Sequence, residues 1–224
     1  MEASPIRCLV SAGPTREYFD PVRFLSNPSS GRMGFAVAEA ARARGWEVAL
    51  VSGPVALPDP EGVRVVRVET GDEMHAALLE YFPECDVLFM TAAVMDTRPR
   101  HRSPHKVKKD RLPGVIEMEP ATDILADLGR RKTGQTLVGF AAETENVEAN
   151  ARAKLVRKNL DFIAANEVGV PGSGFVSETN RLVLISRDGG REVLGPALKR
   201  ELADRLIDRV APSVARGREG RERP

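Results

Sequence analysis

Asp86–Val94 reads DVLFMTAAV, and how this stretch is placed decides the fold. It is a nearly unbroken apolar run. A strand with no polar face must be buried on both sides, which is where central strands of a helix-covered parallel sheet lie. Outward from it, short apolar runs alternate with helical patterns. Ile6–Ala12, Glu47–Val51, Val63–Val68, Thr136–Ala141 and Asp161–Ala165 read as further strands. Arg32–Arg44, stopped by Gly45, and then Asp72–Tyr81, Thr122–Arg131 and Val147–Lys158 read as helices. A short strand at Val115–Met118 interrupts a long polar loop. Such alternation predicts an α/β fold, with a Rossmann-like, mostly parallel sheet and helices on both faces.

The pattern changes near Gly169. Phe175–Glu178, Arg181–Ser186 and Glu192–Leu194 read as a C-terminal antiparallel hairpin segment, with Asp188-Gly189-Gly190 as a turn. Pro196–Val210 closes the chain as an amphipathic helix, with Leu198, Leu202, Leu206 and Val210 every four residues. From Pro212 the Arg/Gly/Glu-rich composition predicts disorder. The expectation is one domain over residues 1–211 and a disordered tail over 212–224.

The chain has 224 residues, 42% hydrophobic and 29% charged, and that density suits a single globular domain. A formal net charge of +1 means that any anion site must come from local clustering. No apolar run approaches the roughly 18 residues of a membrane span. The opening MEASPIRCLVSAG lacks the basic start and long apolar core of a signal peptide. Cys8 and Cys85 sit in apolar runs and read as buried thiols. A soluble, cytoplasmic protein is expected.

In open α/β sheets ligands lie beyond the carboxyl ends of the strands, and three unusual segments fall there. SAGPTREYFDPVRFLSNPSSGRMG follows the first strand and reads as about twenty residues without regular structure, a length usually functional or disordered. It delivers Ser29, Ser30 and Gly31 to a helix N-terminus, which favours an anion. Plain capping by Ser or Asn is the competing reading. Thr97–Arg111 holds four Arg, three Lys and one Asp, a formal +6. It reads as an anion trap in which Lys106, Lys108 and Lys109 hold phosphates, as a solvated loop, or as a nucleic-acid contact without an aromatic for stacking. Pro104, between His101 and His105, argues against a helical metal site there. Asp96, ahead of this loop, is placed for a ribose or a Mg²⁺ ion, or as a loop cap. In the third segment, Lys154 and Lys158 share a helical face behind the small, flexible exit Gly139–Thr144, where Phe140 borders a crevice or packs in the core.

These residues resemble the phosphopantothenate–cysteine ligase (phosphopantothenoylcysteine synthetase) family. The resemblance rests on Asp20-Pro21-Val22-Arg23 leading into Ser26–Gly34, on Ala92-Ala93-Val94 with Asp96 and Arg98-Pro99, and on Lys106-Val107-Lys108-Lys109. It continues through Gly139–Thr144 and Lys154–Asp161, in register over roughly residues 6–190. It implies a ligase of coenzyme A biosynthesis that joins phosphopantothenate to L-cysteine through an acyl-nucleotidylate and releases pyrophosphate. CTP is the implied nucleotide, with ATP the alternative, and Mg²⁺ would bridge the triphosphate through ligands the sequence does not reveal. Asn27 would contact the intermediate, its amide donating to a developing oxyanion without adding charge. Arg23 and Lys106 would bind the phosphopantothenate or the intermediate's phosphate. Ser29, Ser30, Gly31, Ala92 and Ala93 would line the substrate side. Asp96, Lys106, Ala121, Thr122, Asp123, Ile124, Phe140, Lys154 and Lys158 would lie on the nucleotide side. The family forms homodimers, and the antiparallel segment after Gly169 reads as a pairing element. Because the first strand begins about five residues from Met1, the resemblance further implies a monofunctional ligase, with the flavin-dependent decarboxylase that uses its product on another chain.

The sequence also departs from the family. Gly13-Pro14-Thr15 stands where Gly-Gly-Thr is usual, so Pro14 removes one N–H donor. Arg32 replaces a common Lys, and the loop diverges beyond Lys109. Two rival readings remain. An NAD(P)-dependent oxidoreductase of Rossmann type predicts G-x-G-x-x-G after the first strand and Tyr-x-x-x-Lys, and neither Tyr18 nor Tyr81 has Lys at that spacing. A nucleic-acid-binding module using residues 97–111 predicts strongly salt-dependent binding.

Overall fold

The computed structural model describes residues 4–167, Gly174 and residues 177–222. The elements run β1 (Arg7–Ala12), β2 (Arg16–Tyr18), β3 (Phe24–Ser26), α1 (Arg32–Ala43), β4 (Glu47–Ser52), β5 (Arg64–Arg67), α2 (Gly71–Tyr81) and β6 (Val87–Met90). They continue with β7 (Thr97–Pro99), β8 (Met118–Pro120), α3 (Ile124–Arg131), β9 (Thr136–Glu143), α4 (Val147–Arg157), β10 (Phe162–Glu167), β11 (Thr179–Ser186), β12 (Arg191–Leu198) and α5 (Lys199–Glu222).

The main sheet has the order β12-β11-β10-β9-β6-β1-β4-β5. The pairs from β5 to β10 are parallel, and β10-β11 and β11-β12 are antiparallel. Alternate residues of the central strands feed two cores. Cys8, Val10, Val87 and Phe89 face α1 and α5, while Leu9, Leu88 and Met90 face α2, α3 and α4. Both cysteines are buried, and neither forms a disulfide. Burial first, then neighbouring Cys85 and Asp86, push the Cys8 thiol up from its ordinary value, which suppresses the reactive thiolate.

Several expectations need correction. The apolar run is sheet only over Val87–Met90, and Thr91–Val94 leave the sheet toward the loop after β1. That first loop is not structureless, because β2 and β3 form an antiparallel hairpin within it. The short strand expected at Val115–Met118 starts at Met118 and pairs with β7, leaving Val115 79% exposed. Phe175 and Val176 lie outside the described residues, and Ser177 and Glu178 belong to no strand. The closing helix starts at Lys199, because Pro196–Leu198 complete β12. Residues 212–222 are helical rather than disordered. α5 runs through Pro212 and seats Val214, at 1% exposure, in the core that α1 and α5 cover. Val214 is the one buried side chain among the described side chains beyond Pro212, and composition carries no trace of it. Among the described residues no helix is long and apolar enough to cross a membrane.

Helix α1 sits unusually close to the sheet. A Cβ on Gly34 would approach Thr91 Oγ1 to 2.4 Å and Ala12 Cβ to 2.5 Å. Gly34→Ala should therefore destabilise the fold by about 1–3 kcal/mol through overpacking, against the roughly 1 kcal/mol that Ala ordinarily adds inside a helix. Denaturant unfolding measures the sign, and a neutral or stabilised variant would mean that α1 is seated less closely than this.

Candidate active site

Beyond Ala12 and Met90 the parallel order reverses, with β4 on one side of β1 and β6 on the other. Ligands favour such a switch point, and a cleft of about 610 Å³ opens there. Its floor is the pair of loops leaving β1 and β6. Ala93 N–H donates to Gly13 O at 2.9 Å, Thr15 N–H donates to Ala93 O at 3.4 Å, and Met95 N–H donates to Thr15 Oγ1 at 3.0 Å. The close approach needs a residue without a side chain at Gly53, where a Cβ would lie 1.8 Å from Pro14 O.

The cleft gathers most of the expected residues. Asn27, Ser29, Gly31, Ala92 and Ala93 line one side. Asp96, Ala121, Thr122, Asp123 and Ile124 line another, with Phe140, Lys154 and Lys158. Ser30 is adjacent in sequence but does not line the cleft. Phe140 is half-buried at the rim of a core and also lines the cleft, so its two readings merge. The capping reading of the first loop is not realised. Gly31 is the N-cap of α1 with φ 76°, and no side chain caps the helix. The first turn of α1, with the positive end of the helix dipole, therefore opens on the cleft.

Three side chains behave differently from expectation. Asn27 Nδ2 donates to Ala93 O at 3.1 Å and Val94 O at 3.2 Å. Both amide hydrogens are spent tethering the β6 loop, so donation to an oxyanion would require releasing one of these contacts. Arg23 does not line the cleft. It pairs with Asp20 at 3.1 Å and donates to Val107 O at 3.3 Å. Lys106 is exposed on the loop that Arg23 braces, outside the cleft's lining. The brace centres on Asp20, fully buried, which accepts from the N–H groups of Val22, Arg23 and Val107. Burial alone would raise the Asp20 carboxyl, but those N–H donors and the Arg23 charge outweigh it and hold the group below its ordinary range.

The lysines of α4 arrive as ion pairs. Lys154 meets Glu143 at 2.7 Å, and Lys158 meets Asp123 at 2.8 Å. Asp123 also caps α3 by accepting from Ala126 N–H at 3.1 Å. Burial pushes the Asp123 carboxyl up, while Lys158 and that N–H pull it further down, so it is charged at neutral pH. This wall offers cations and acceptors together, as recognition of a sugar and a base requires. Sequence reasoning missed Arg32, Asn166, Asn180 and Lys199, which also line the cleft. Lys199 was hidden because the segment before it reads as the start of a helix, which puts Lys199 inside the helix on a polar face. In the fold it is the first residue of α5. Among the described residues, no three His, Cys, Asp or Glu side chains converge into a metal cage.

The model of the DNA/pantothenate metabolism flavoprotein C-terminal domain family matches residues 4–213. A cysteine/cysteine sulfinic acid decarboxylase from an unknown prokaryotic organism is 45% identical over 210 residues, 93% of this chain and 58% of that relative. The coenzyme A biosynthesis bifunctional protein CoaBC of Bacillus subtilis (strain 168) is 42% identical over 204 residues, 91% of this chain and 50% of that protein. The chain thus spans about half the length of the curated relatives it matches. The crystal structure of the C-terminal domain of CoaBC superposes with a TM-score of 0.81 at 41% identity, covering 94% of this chain and 96% of that domain.

Asn27→Asp should cost about 1–3 kcal/mol of stability, because two donors to carbonyls are lost and a carboxylate faces those oxygens instead. Repulsion raises the folded-state pKa of the new carboxyl above its unfolded value. The deficit is therefore largest at neutral pH and shrinks as pH falls through that raised value. Unfolding followed from pH 4 to pH 8 reads this out, and a deficit that does not vary with pH would contradict the tether.

Proposed function

The chain belongs to the family of DNA/pantothenate metabolism flavoprotein C-terminal domains, and from that premise we propose that it is a phosphopantothenate–cysteine ligase. It would join (R)-4′-phosphopantothenate to L-cysteine through an acyl-nucleotidylate, in coenzyme A biosynthesis. The observation that carries the reading is one cleft, at the switch point of the sheet, lined by Asn27, the first turn of α1, Phe140 and the two lysines of α4. The decarboxylase name on one relative belongs to a protein of which the chain spans 58%. The solved domain matched almost end to end comes from CoaBC, and the reading follows it in preference to the oxidoreductase and nucleic-acid alternatives.

A carboxylate is a poor electrophile, because its charge repels an incoming amine. In the first step a carboxylate oxygen attacks the α-phosphorus of the nucleotide, the bond to the β-phosphate breaks, and pyrophosphate leaves. In the second, the amine nitrogen of cysteine attacks the acyl carbon, the nucleoside monophosphate leaves with the bonding pair, and the amine loses a proton. The N–H groups of the first turn of α1 hold phosphate oxygens. Asp123, Lys158, Glu143 and Lys154 address the ribose and base, with Phe140 behind them. Asn27 keeps the Ala93–Val94 loop in place beneath the reacting carbonyl. The substrate supplies the thiol, so Cys8 and Cys85 need no part in it.

CTP in preference to ATP follows from the resemblance of the loops. A Mg²⁺ ion would neutralise charge on the triphosphate. Asp96, exposed at the rim, is the carboxylate of this chain that could join it, in keeping with magnesium's preference for phosphates and one or two carboxylates. Lys106 belongs to the proposal by resemblance alone. A homodimer and a cytoplasmic location are parts of the same reading. For the dimer the apolar hairpin tip is favoured over the edge of β12, because Val22, Phe24 and Leu25 are 54%, 39% and 36% exposed beside the open edge of β3.

Pyrophosphate release should require phosphopantothenate, cysteine and a nucleotide together, with CTP supporting faster turnover than ATP. Release without phosphopantothenate would refute the ligase reading. Lys106→Gln should raise the KM for the anionic substrates about tenfold or more, the value of a charged hydrogen bond, and unchanged kinetics would remove Lys106 from the reaction. Phe24→Glu should shift the sedimentation of the 24.4 kDa chain from dimer to monomer, and a variant that remains dimeric would place the contact elsewhere.

A further inference from the structure

Thr15, just beyond β1, is fully buried and does not line the cleft. Each of its polar groups is nevertheless spent on a loop that does. Its N–H donates to Ala93 O at 3.4 Å, its Oγ1 accepts from Met95 N–H at 3.0 Å, and its carbonyl accepts from Ser26 Oγ at 2.8 Å. Ser26 precedes Asn27 and Met95 precedes Asp96, and Asn27, Ala93, Met95 and Asp96 all line the cleft. One residue outside the cleft therefore ties two of its sides together.

A hydroxyl that accepts from Met95 must turn its own proton elsewhere. It turns to the Glu17 carboxylate, which the Thr15 hydroxyl stabilises. Glu17 lies in β2 at 8% exposure. Its Oε1 also accepts, at 3.0 Å, from the N–H of Gly71, the first residue of α2. The positive end of that helix favours a carboxylate there. The charged groups that face Glu17 are Asp72 from α2 and Arg98 from β7.

We propose that Thr15 and Glu17 are positioning residues of the cleft: Glu17 fixes the Thr15 hydroxyl, and Thr15 sets the spacing between the Asn27 and Asp96 segments. Two bound groups react only when held in attack geometry, and a misplacement of about 1 Å costs roughly a hundredfold in rate. Without Glu17 the hydroxyl is free to turn its proton toward Met95, and two donors then face each other. The inference rests on the ligase reading for the reaction that this spacing serves.

Stability and positioning pull Glu17 in opposite directions. Burial first, with Asp72 adding to it, pushes the Glu17 carboxyl up, while Gly71 N–H, Arg98 and the Thr15 hydroxyl hold it down, and the carboxyl ends above its ordinary value. A carboxyl whose folded pKa is raised contributes stability that is present at low pH and lost as pH rises through the folded value. At neutral pH charged Glu17 therefore weakens the fold relative to a neutral side chain of the same shape. What the charge adds is a group that only accepts, set between two donors. A Gln would turn its own N–H groups toward one of them.

Residue-level amide exchange, denaturant unfolding and steady-state pyrophosphate release test this together. Thr15→Val keeps the shape and loses the hydroxyl. It should speed exchange at Met95 about tenfold or more and leave Ala93, whose acceptor is Gly13 O, protected. It should also lower kcat about tenfold or more, with a smaller change in the KM for CTP. Thr15→Ser should restore both protection and turnover. Glu17→Gln should be at least as stable as the wild type at pH 7 and still show faster Met95 exchange and a lower kcat. A role in stability alone cannot give that combination, and Glu17→Gln keeps the inference exposed to refutation if Thr15→Val does not fold. Met95 exchange equal to the wild type in the folded variants, or turnover that falls only in proportion to stability, overturns the inference. If the wild type releases no pyrophosphate from CTP or ATP, the ligase reading fails, and Met95 exchange by itself decides whether Thr15 and Glu17 hold the cleft.

Discussion

Where β6 leaves the sheet after Met90, its backbone must find new hydrogen-bond partners, and it finds them on the loop after β1. Ala93 exchanges bonds with Gly13 and Thr15, and Asn27 closes the remaining carbonyls of Ala93 and Val94. A buried backbone polar group left unpaired is costly, so this junction holds the switch point open as a cleft instead of letting the loops collapse into it. The small residues at the junction follow from it. Gly53 lets Pro14 pass, and Gly34 lets α1 drop against Ala12 and Thr91. Together they bring the first turn of α1 to the edge of the same cleft.

The charge distribution is built on that frame. The basic loop, the strongest electrostatic signal in the sequence, is held by buried Asp20 and Arg23 at Val107, while the lysines of α4 come with their own carboxylates. A near-neutral chain can carry a strongly basic loop because the charge is segregated rather than averaged. Among the described residues the cation most removed from water is Lys199, which no motif announces. Its position depends on α5 lying across α1, with Arg44 paired to Asp204 and Asp208 and with Leu202, Leu206 and Val210 in the core.

Much of the architecture was legible. The alternation of strands and helices, the burial of VLFM on both faces, the helix beginning at Arg32 and the antiparallel strands before the closing helix all follow from hydrophobic period and turn chemistry. The misses have physical reasons. β2 and β3 are three residues each and satisfy one another, too short to show a period. The end of α5 is ordered by a few contacts, Val214 in the core and Arg218 near Asp86, within a composition otherwise typical of a solvated tail. The strand read through Val94 ends at Met90, because apolar character persists after the backbone has turned to the neighbouring loop.

The site divides in the same way. The sequence by itself determined which segments lie beyond the strand ends, because strand direction and connection order settle which end of the sheet each loop occupies, and the family resemblance implied that Asn27, Asp96, Phe140 and the α4 lysines share a crevice. What each side chain does there was decided only by tertiary structure. Whether Asn27 spends its amide on the protein, whether Arg23 faces a ligand or Asp20, and whether Lys199 joins the cleft all depend on partners distant along the chain. Hydrogen bonds and ion pairs are settled by distances of a few ångströms, and a linear sequence carries no information on that scale until the packed core has brought its segments together.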